Sequence, residues 1–408
     1  MIWRLVAAVA WCAIAPRALP AQAGSSHDAS PLTLQDAIAS ALRNNLDLRI
    51  ASSMVDSARA ETHIARALPN PTLSAVPNSP FQYSATLSLD VGPQRTSRVR
   101  VSDLGARAAE WDVRESRRQV ILAVDRAFLD VLLADARRQI VSSRRDVMLQ
   151  MVAADSARVR AGDLPERALI RSQIELNRTE TDRARAVIDA QAARLVLQGL
   201  MGKPVADTVL RIEGTLGFRP VTFDTVDVGT LTLANRPDVE ASRARESQSV
   251  AAQQAARALV VPIPQLSYVR QFNGPFDSGH YFALGVAFEL PVLNQYRAQQ
   301  ERANASHDAA TYVRRRVESQ AAREVQAALA EFRTQEVLIR RYESGVIDRM
   351  QQSVDATRYA YTRGAASLLD VLDALRTQQD LLIEYQTALH DYWVAAYTVE
   401  ATTGVPVR

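Results

Sequence analysis

Asp370 and Asp373 are the two side chains in this 408-residue sequence whose spacing best suits a shared chemical task. Residues three positions apart on a helix project from nearly the same face, about 4.5 Å apart along the axis. If copies of the chain surround a pore, the pair makes rings of carboxylates that favour cations and raise the pKa of some ring members. The alternative is a solvated helix face that carries two ordinary acids.

No other group of side chains predicts catalysis, a bound metal or a cofactor. Residues 199–204 contain a Gly-Lys pair but lack the spacing and the hydroxyl residue of a phosphate-binding loop. The only cysteine is Cys12. The histidines include no pair at helical ligand spacing, and they are His27, His63, His280, His307 and His390. We therefore expect a protein that is not an enzyme.

The first 23 residues have the composition of a secretory signal peptide. Arg4 precedes an apolar run over residues 5–15, and the segment ends in the small-x-small triplet Ala21-Gln22-Ala23. The alternative is a membrane anchor, but this run spans only ~16 Å of a hydrocarbon core roughly 30 Å thick. Cleavage after Ala23 removes Cys12 and leaves an exported protein without thiols or disulfides.

Composition and charge exclude several classes of protein. An apolar share of 47% with 23% charged residues is a globular balance, and only 15 glycines favour long helices. Loss of Arg4 and Arg17 takes the net charge from +3 to +1, which leaves no electrostatic footprint for nucleic acid. No long apolar run follows Ala23, so any membrane contact must be made by strands.

Two halves of the sequence repeat one another. Arg66-Ala67-Leu68 returns as Arg257-Ala258-Leu259, and Pro71 returns as Pro264. Gly162 matches Gly364 and Gly202 matches Gly404, both at an offset of 202 residues. Each half predicts a helix, a short β-hairpin, a very long helix, a tight turn at the matched glycine and a returning helix.

The long helices are predicted from the scarcity of helix breakers. No proline lies between Pro93 and Pro165, nor between Pro291 and Pro406. A helix from residue 98 to residue 159 is ~93 Å long, about three times the thickness of a bilayer core. Such a helix must stand largely in water, and its many charged residues agree with that.

Both hairpins alternate apolar and polar residues, which predicts strands. The pattern covers residues 83–91 and returns over residues 282–290, with partner strands near residues 71–76 and 264–272. Nine-residue alternating segments with flanking aromatics such as Phe81 and Tyr281 suit the strands of an outer-membrane barrel. The alternative is an ordinary half-buried sheet packed on the helices.

Four strands are too few to close a barrel, and open strand edges do not occur in lipid. A membrane-spanning sheet therefore requires several copies of the chain. Two copies supply eight strands, three supply twelve and four supply sixteen, and the residues alone leave this number open.

These features together resemble the TolC-type outer-membrane efflux proteins, across residues 31–406. The most specific match is Tyr361-Thr362-Arg363-Gly364, followed by Ser367 and residues 370–374. Residues 32–42 and 69–71 are also similar to the family, and residues 91–95 and 290–292 resemble its cation-efflux branch. The resemblance implies a mainly α fold with a small membrane β part, assembled as a homotrimer with a twelve-stranded β-barrel and a twelve-helix α-barrel.

The resemblance also implies a passive channel in the outer membrane of a Gram-negative-type bacterium, extending into the periplasm. Substrates, with metal cations favoured, arrive from an inner-membrane pump, commonly proton-driven, through a periplasmic adaptor of the membrane-fusion type. Outer-membrane lipid surrounds the barrel, and no cofactor is expected. The alternative is a soluble periplasmic coiled-coil adaptor or structural protein, which long helices alone permit.

The family pattern divides the chain into segments. They are a signal peptide (1–23), an N-terminal segment with the first helix (24–70), a first hairpin (71–93), a first long helical hairpin (94–204), a connecting segment (205–230), a helix (231–261), a second hairpin (262–292), a second long helical hairpin (293–404) and a C-terminal tail (405–408).

The resemblance assigns roles to residues near the two helix turns. Asp370 and Asp373 line the pore, and Tyr361 with Arg363 is the candidate latch of the entrance. Relatives carry an arginine two residues after the glycine, where this sequence has Ala366, so Arg363 or Arg167 is the expected substitute. The residues expected to face the adaptor are Arg160, Gly162, Asp163, Leu164, Gly364, Ser367 and Leu368.

Overall fold

The computed structural model describes residues 31–77, 81–203, 210–223, 236–272 and 280–407. The predicted signal peptide and parts of the predicted connecting segment lie outside these residues. The chain is mainly helical with one small sheet. Its elements are α1 (Leu34–Asn44), α2 (Leu46–Arg66), β1 (Thr72–Val76), β2 (Phe81–Ser88), α3 (Pro93–Ala161), α4 (Glu166–Leu200), α5 (Pro237–Ala258), β3 (Pro264–Phe272), β4 (His280–Phe288), α6 (Arg297–Glu343), α7 (Val346–Thr362) and α8 (Leu368–Thr403).

The helical segment before the first hairpin is two helices, where the sequence predicts one. Asn45 separates them in an extended conformation, and its side-chain oxygen accepts hydrogen bonds from the backbone N–H groups of Asp47 and Leu48. This is an N-cap, which satisfies donors at the start of α2. The Asn45 side-chain amide also donates to the carbonyl of Leu200 at 2.9 Å, so the break is tied to the end of α4.

The first long helix is continuous and the second is not. α3 has 69 residues, from Pro93 to Ala161, and is about 100 Å long at 1.5 Å per residue. Its counterpart is interrupted at Ser344 and Gly345, so the expectation of one long helix in the second half is wrong. Gly345 has φ of 89°, a left-handed conformation that a continuing α-helix does not contain. The second half therefore has a joint that the first half lacks.

The duplication extends to backbone conformation. Gly162 and Gly364 end helices with φ of 82° and 76°, and Gly202 and Gly404 have φ of 63° and 74°. These values lie in the left-handed region, which glycine adopts without a Cβ clash. The chain therefore reverses at the same points in both repeats.

The sheet is antiparallel, with the strands in the order β1-β2-β3-β4. β2 pairs with β3 along its whole length, from Phe81 opposite Phe272 to Ser88 opposite Gln265, and this pairing joins the two hairpins. β2 and β4 end two residues before the predicted limits of 91 and 290. The reason is a tight turn in each repeat, in which the N–H of Val91 bonds to the carbonyl of Leu89 and that of Val292 to Leu290.

Three buried clusters hold the helices together. One lies between α6, α8 and residues 216–223 and is centred on Phe332 and Tyr392. A second joins α1, α3 and α4 around Val124 and Leu197, and a third joins α3, α7 and α8 around Met148. Among the described residues, none of the helices combines the length and the apolar character that crossing a membrane requires.

Candidate functional site

The sheet has one apolar and one largely polar face. Residues paired across neighbouring strands share a face, so the registers decide the two sets. The apolar face contains Leu73, Ala75, Phe81, Tyr83, Ala85, Leu87, Leu266, Tyr268, Phe272, Phe282, Leu284, Val286 and Phe288. The other face includes Thr72, Ser74, Gln82, Ser84, Thr86, Gln265, Ser267 and Gln271.

The apolar face is uncovered. In β4 the side chains of Phe282, Leu284, Val286 and Phe288 are 56–73% exposed, and Leu73 in β1 is 83% exposed. Continuous exposed apolar surface marks a contact with lipid or another protein. The exposure argues against the alternative of a sheet that is half-buried on the helices.

Aromatic rings gather at the end of the sheet where β2 begins. The ring centroids of Phe81 and Tyr83 lie 6.1 Å and 5.5 Å from that of Phe272. Arg270 shares the apolar face, and its guanidinium carbon lies 5.0 Å from the centroid of the Phe272 ring. Aromatic side chains with an arginine that reaches toward polar surroundings are typical of a membrane–water boundary.

At the opposite end of the molecule, Tyr361 joins the two helix turns. Tyr361 lies near the end of α7, is buried, and donates a hydrogen bond of 2.5 Å to Oδ1 of the fully buried Asp155 in α3. The Arg158 guanidinium lies 5.5 Å from the centroid of the tyrosine ring. Burial, followed by the bond to Asp155, raises the pKa of Tyr361 above its ordinary value, so the phenol keeps its proton.

Arg363 lies elsewhere in this turn. It is the C-cap of α7 and is exposed, with its guanidinium 5.2 Å from the centroid of the Tyr359 ring. The structure therefore does not bring the two predicted latch residues together in the single chain. Asp155 is the partner of Tyr361 that sequence reasoning missed. Nothing in the local pattern around an aspartate 206 residues away marks it as the acceptor.

Asp370 and Asp373 are both exposed, whereas Val371, Leu372 and Leu375 on the opposite side of α8 are buried. Asp370 also has a local role that the sequence analysis did not include. It forms a capping box with Ser367, whose side chain bonds to the Asp370 N–H while the Asp370 carboxylate accepts from the Ser367 N–H and hydroxyl. These bonds lower the pKa of Asp370.

The residues expected to face an adaptor occupy the two turns. Gly162 and Gly364 form the turns, and Ser367 caps α8. Leu164 and Leu368 are half-buried, and Leu368 packs on the cluster around Met148. The exposed members are Arg160, Gly162, Asp163, Gly364 and Ser367.

A buried ionic cluster above the turns joins three helices, and the sequence analysis did not find it. Glu175 of α4 accepts from Arg144 of α3 at 2.8 Å and from Arg376 of α8 at 3.0 Å. The Glu175 side chain is 7% exposed and that of Arg144 is 11% exposed. Burial lowers the pKa of Arg144, while the Glu175 carboxylate opposes this shift. The cluster therefore ties the first helical hairpin to the second.

A duplicated long-helix fold with an exposed apolar sheet is the architecture of outer-membrane efflux proteins, and residues 228–405 match the family model described as outer membrane efflux protein. The chain is 24% identical over 384 residues to the cobalt-zinc-cadmium resistance protein CzcC of Cupriavidus metallidurans, with 92% of this chain and 91% of that protein covered. The family resemblance predicted from the sequence is confirmed.

Solved structures show the same fold. A membrane protein from Pseudomonas aeruginosa superposes with a TM-score of 0.77 at 21% identity, covering 91% of this chain and 93% of that chain. The open-state MtrE outer membrane channel of Neisseria gonorrhoeae gives a TM-score of 0.75 at 19% identity, covering 91% and 88%.

Proposed function

We propose that the protein is the passive outer-membrane channel of a tripartite efflux system and that three copies of the chain form it. The observation that carries this proposal is the apolar face of the sheet, which the chain leaves exposed. In lipid, such a sheet must close on itself, because unpaired backbone groups at its edges are too costly. Three copies supply twelve strands, enough for a barrel with a water-filled interior lined by the polar face.

The helices form the second part of the proposed conduit. Residues 71–93 and 262–292 cross the outer membrane, and residues 94–204 and 293–404 extend into the periplasm as helical hairpins. The charged surfaces of these long helices suit water rather than lipid. The turns at Gly162 and Gly364 then lie furthest from the membrane, where a periplasmic adaptor meets them and connects the channel to an inner-membrane pump.

Metal cations are the proposed cargo. The similarity to a cobalt-zinc-cadmium resistance protein over nearly the whole chain supports this choice. Asp370 and Asp373 support it as well, since both carboxylates are exposed near the second turn. In a trimer that surrounds a tunnel, they make two rings of negative charge at its entrance. The channel itself consumes no energy and needs no cofactor.

Tyr361 and Asp155 are the proposed latch of the entrance. Their hydrogen bond joins α7 to α3, so it holds the second turn against the first. Opening requires the second hairpin to move away from the first, which breaks this bond. Gly345 lies 16 positions before Tyr361 and supplies a joint at which α7 can turn relative to α6.

The test is conductance by the purified chain without residues 1–23 in a planar lipid bilayer. We expect discrete current steps. Leu284→Asp places a carboxylate on the exposed apolar face and should abolish insertion, because charge on a lipid-facing strand is destabilising. Ala283→Asp is the matched control on the opposite face and should still conduct.

The alternative of a soluble coiled-coil adaptor makes the opposite prediction. A chain of that kind stays in solution without detergent, produces no current steps and treats Leu284→Asp and Ala283→Asp alike. That result would overturn the proposed function.

A further inference from the structure

Helix α2 carries an apolar stripe that the chain does not cover. Leu46, Ile50, Met54, Ile64 and Leu68, the last just past the helix, lie on one side at helical spacing. These five side chains are 57–66% exposed. The other side of α2, which includes Val55 and Ala65, is buried. A face of this kind marks an interaction surface.

The repeat shows what covers the equivalent face of α5. Arg66-Ala67-Leu68 corresponds to Arg257-Ala258-Leu259, an offset of 191 residues, so Ile50 corresponds to Ala241 and Met54 to Arg245. Ala241 is only 1% exposed, and Arg245 forms an ion pair of 2.5 Å with Asp112 of α3. The position equivalent to the stripe is therefore covered by the long helix of the preceding repeat.

Within one chain, α2 has no preceding repeat. α3 packs against both α2 and α5, whereas α6 packs against α5 alone of these two helices among the described residues. The exposed side of α6 is suited to a further helix. Ala310 and Val313 correspond, at the offset of 202 residues, to Ala108 and Trp111, and Ala108 is only 4% exposed in α3. Val313 remains 40% exposed.

We infer that the junction between the two repeats is used again between copies of the chain, with α6 of one copy covering the α2 stripe of the next. The inference rests on the proposed function and specifies the surface through which the copies assemble. By the same offsets, the in-chain pair Asp112 and Arg245 becomes Arg314 of one copy beside Met54 of the next.

The sheet obeys the same rule. β2 and β3 join the repeats within the chain, with Leu87 opposite Leu266. The matching turns at Leu89 and Leu290 set an offset of 201 residues from β2 to β4. Pro71 and Pro264 set an offset of 193 from β1 to β3. These offsets also reproduce the two hairpin registers, since Thr72 pairs with Thr86 and Gln265 with Ala287.

Applied to the free edges, the offsets place Phe288 of β4 opposite Leu73 of β1 in the next copy. Both residues lie on the apolar face and both are exposed in the single chain. The pairing therefore continues the apolar surface across the boundary between copies without a change of face. A shift by one residue would put Phe288 on the polar side.

Cysteine cross-linking tests the inference, because the sequence has no cysteine apart from Cys12 in the predicted signal peptide. Met54→Cys with Arg314→Cys, treated with a short bifunctional thiol reagent, should give dimer and trimer bands on a denaturing gel. Asp112→Cys with Arg245→Cys is the in-chain control and should link without changing the molecular mass. Ser52→Cys with Arg314→Cys is the negative control, because Ser52 lies on another side of α2.

A second pair tests the register. Leu73→Cys with Phe288→Cys should form a disulfide between copies on oxidation, at least tenfold faster than Leu73→Cys with Val286→Cys. The shifted pair keeps both thiols on the apolar face but two residues out of register.

Native mass spectrometry and conductance of the same preparations separate the two proposals. If the sample is trimeric and conducts but Met54→Cys with Arg314→Cys gives no products between copies, the inferred surface is wrong and the proposed function stands. If the sample is monomeric and does not conduct, the proposed function is wrong as well.

Discussion

The phenolic oxygen of Tyr361 lies 2.5 Å from Oδ1 of Asp155, and the two residues are 206 positions apart in the chain. The second oxygen of this carboxylate is buried without a hydrogen-bond partner among the described residues. The carboxylate therefore depends strongly on the single donor that Tyr361 provides.

Replacing Tyr361 by phenylalanine should loosen the entrance. The change removes the donor and leaves a buried carboxylate without it, at a cost of about 1–3 kcal/mol in the latched state. We expect a larger mean conductance and longer open times in planar bilayers. Tyr359→Phe is the control, since Tyr359 is exposed and lies on the outside of the same turn. Equal conductance in the two variants would remove Tyr361 from the latch.

Replacing Glu175 by glutamine should destabilise the packing of the two helical hairpins. The change leaves Arg144 largely buried without its carboxylate partner, and loss of one member of such a pair costs about 3–5 kcal/mol. Thermal unfolding followed by helical circular dichroism should show a lower midpoint. Glu180→Gln breaks the more exposed pairs with Arg145 and Arg183 and should have little effect. Equal midpoints for the two variants would contradict the role given to the cluster.

Asp125 should make stability fall as pH rises. Burial, with Glu400 second, raises the pKa of Asp125 to about 7, from an unfolded value of about 4. Between these values the folded state binds the additional proton, so its stability decreases from pH 4 to pH 7, and the full cost is present above pH 7.

The Asp125→Asn variant should remove this dependence. We expect the variant to be more stable than the parent at pH 8, by up to about 4 kcal/mol, and to differ little from it near pH 4. Unfolding midpoints at the two pH values measure the effect, with the exposed Asp112→Asn as the control. A variant that loses stability at pH 8 would show that the Asp125 charge is favourable in the folded chain.

Neutralising the acidic pair should reduce cation preference. Asp373→Asn is the cleaner variant, because Asp370 also belongs to the capping box with Ser367. We expect the reversal potential in a salt gradient to shift toward that of a non-selective pore, further in the double variant. Asp391→Asn, away from the turns, is the control. An unchanged reversal potential in both acidic variants would place the pair outside the conduction path.

Short-range rules determined much of the architecture. The alternation of residues 83–88 identifies a strand because side chains in a strand point alternately to the two faces. The absence of proline between Pro93 and Pro165 permits the uninterrupted α3, and the matched glycines mark the turns because they adopt positive φ. The family motif around Gly364 is likewise a continuous stretch of sequence.

The same rules did not reveal the break at Gly345. One glycine inside a long helical pattern costs only about 1 kcal/mol relative to alanine, and many helices tolerate it. Whether the helix continues through it is therefore decided by packing on either side. In this chain α6 packs against α5 and α8, whereas α7 packs mainly against α8, so the two parts have different neighbours.

By itself the sequence determined the export signal, the duplication, the long helices and the alternating strands, because each depends on residues close together in the chain. Only the tertiary structure decided that Tyr361 meets Asp155, that Arg144 and Arg376 share Glu175, and that the sheet is joined through Leu87 and Leu266. Those partners are brought together by the antiparallel packing of long elements, and residues so far apart in the chain leave no periodic signal that identifies them.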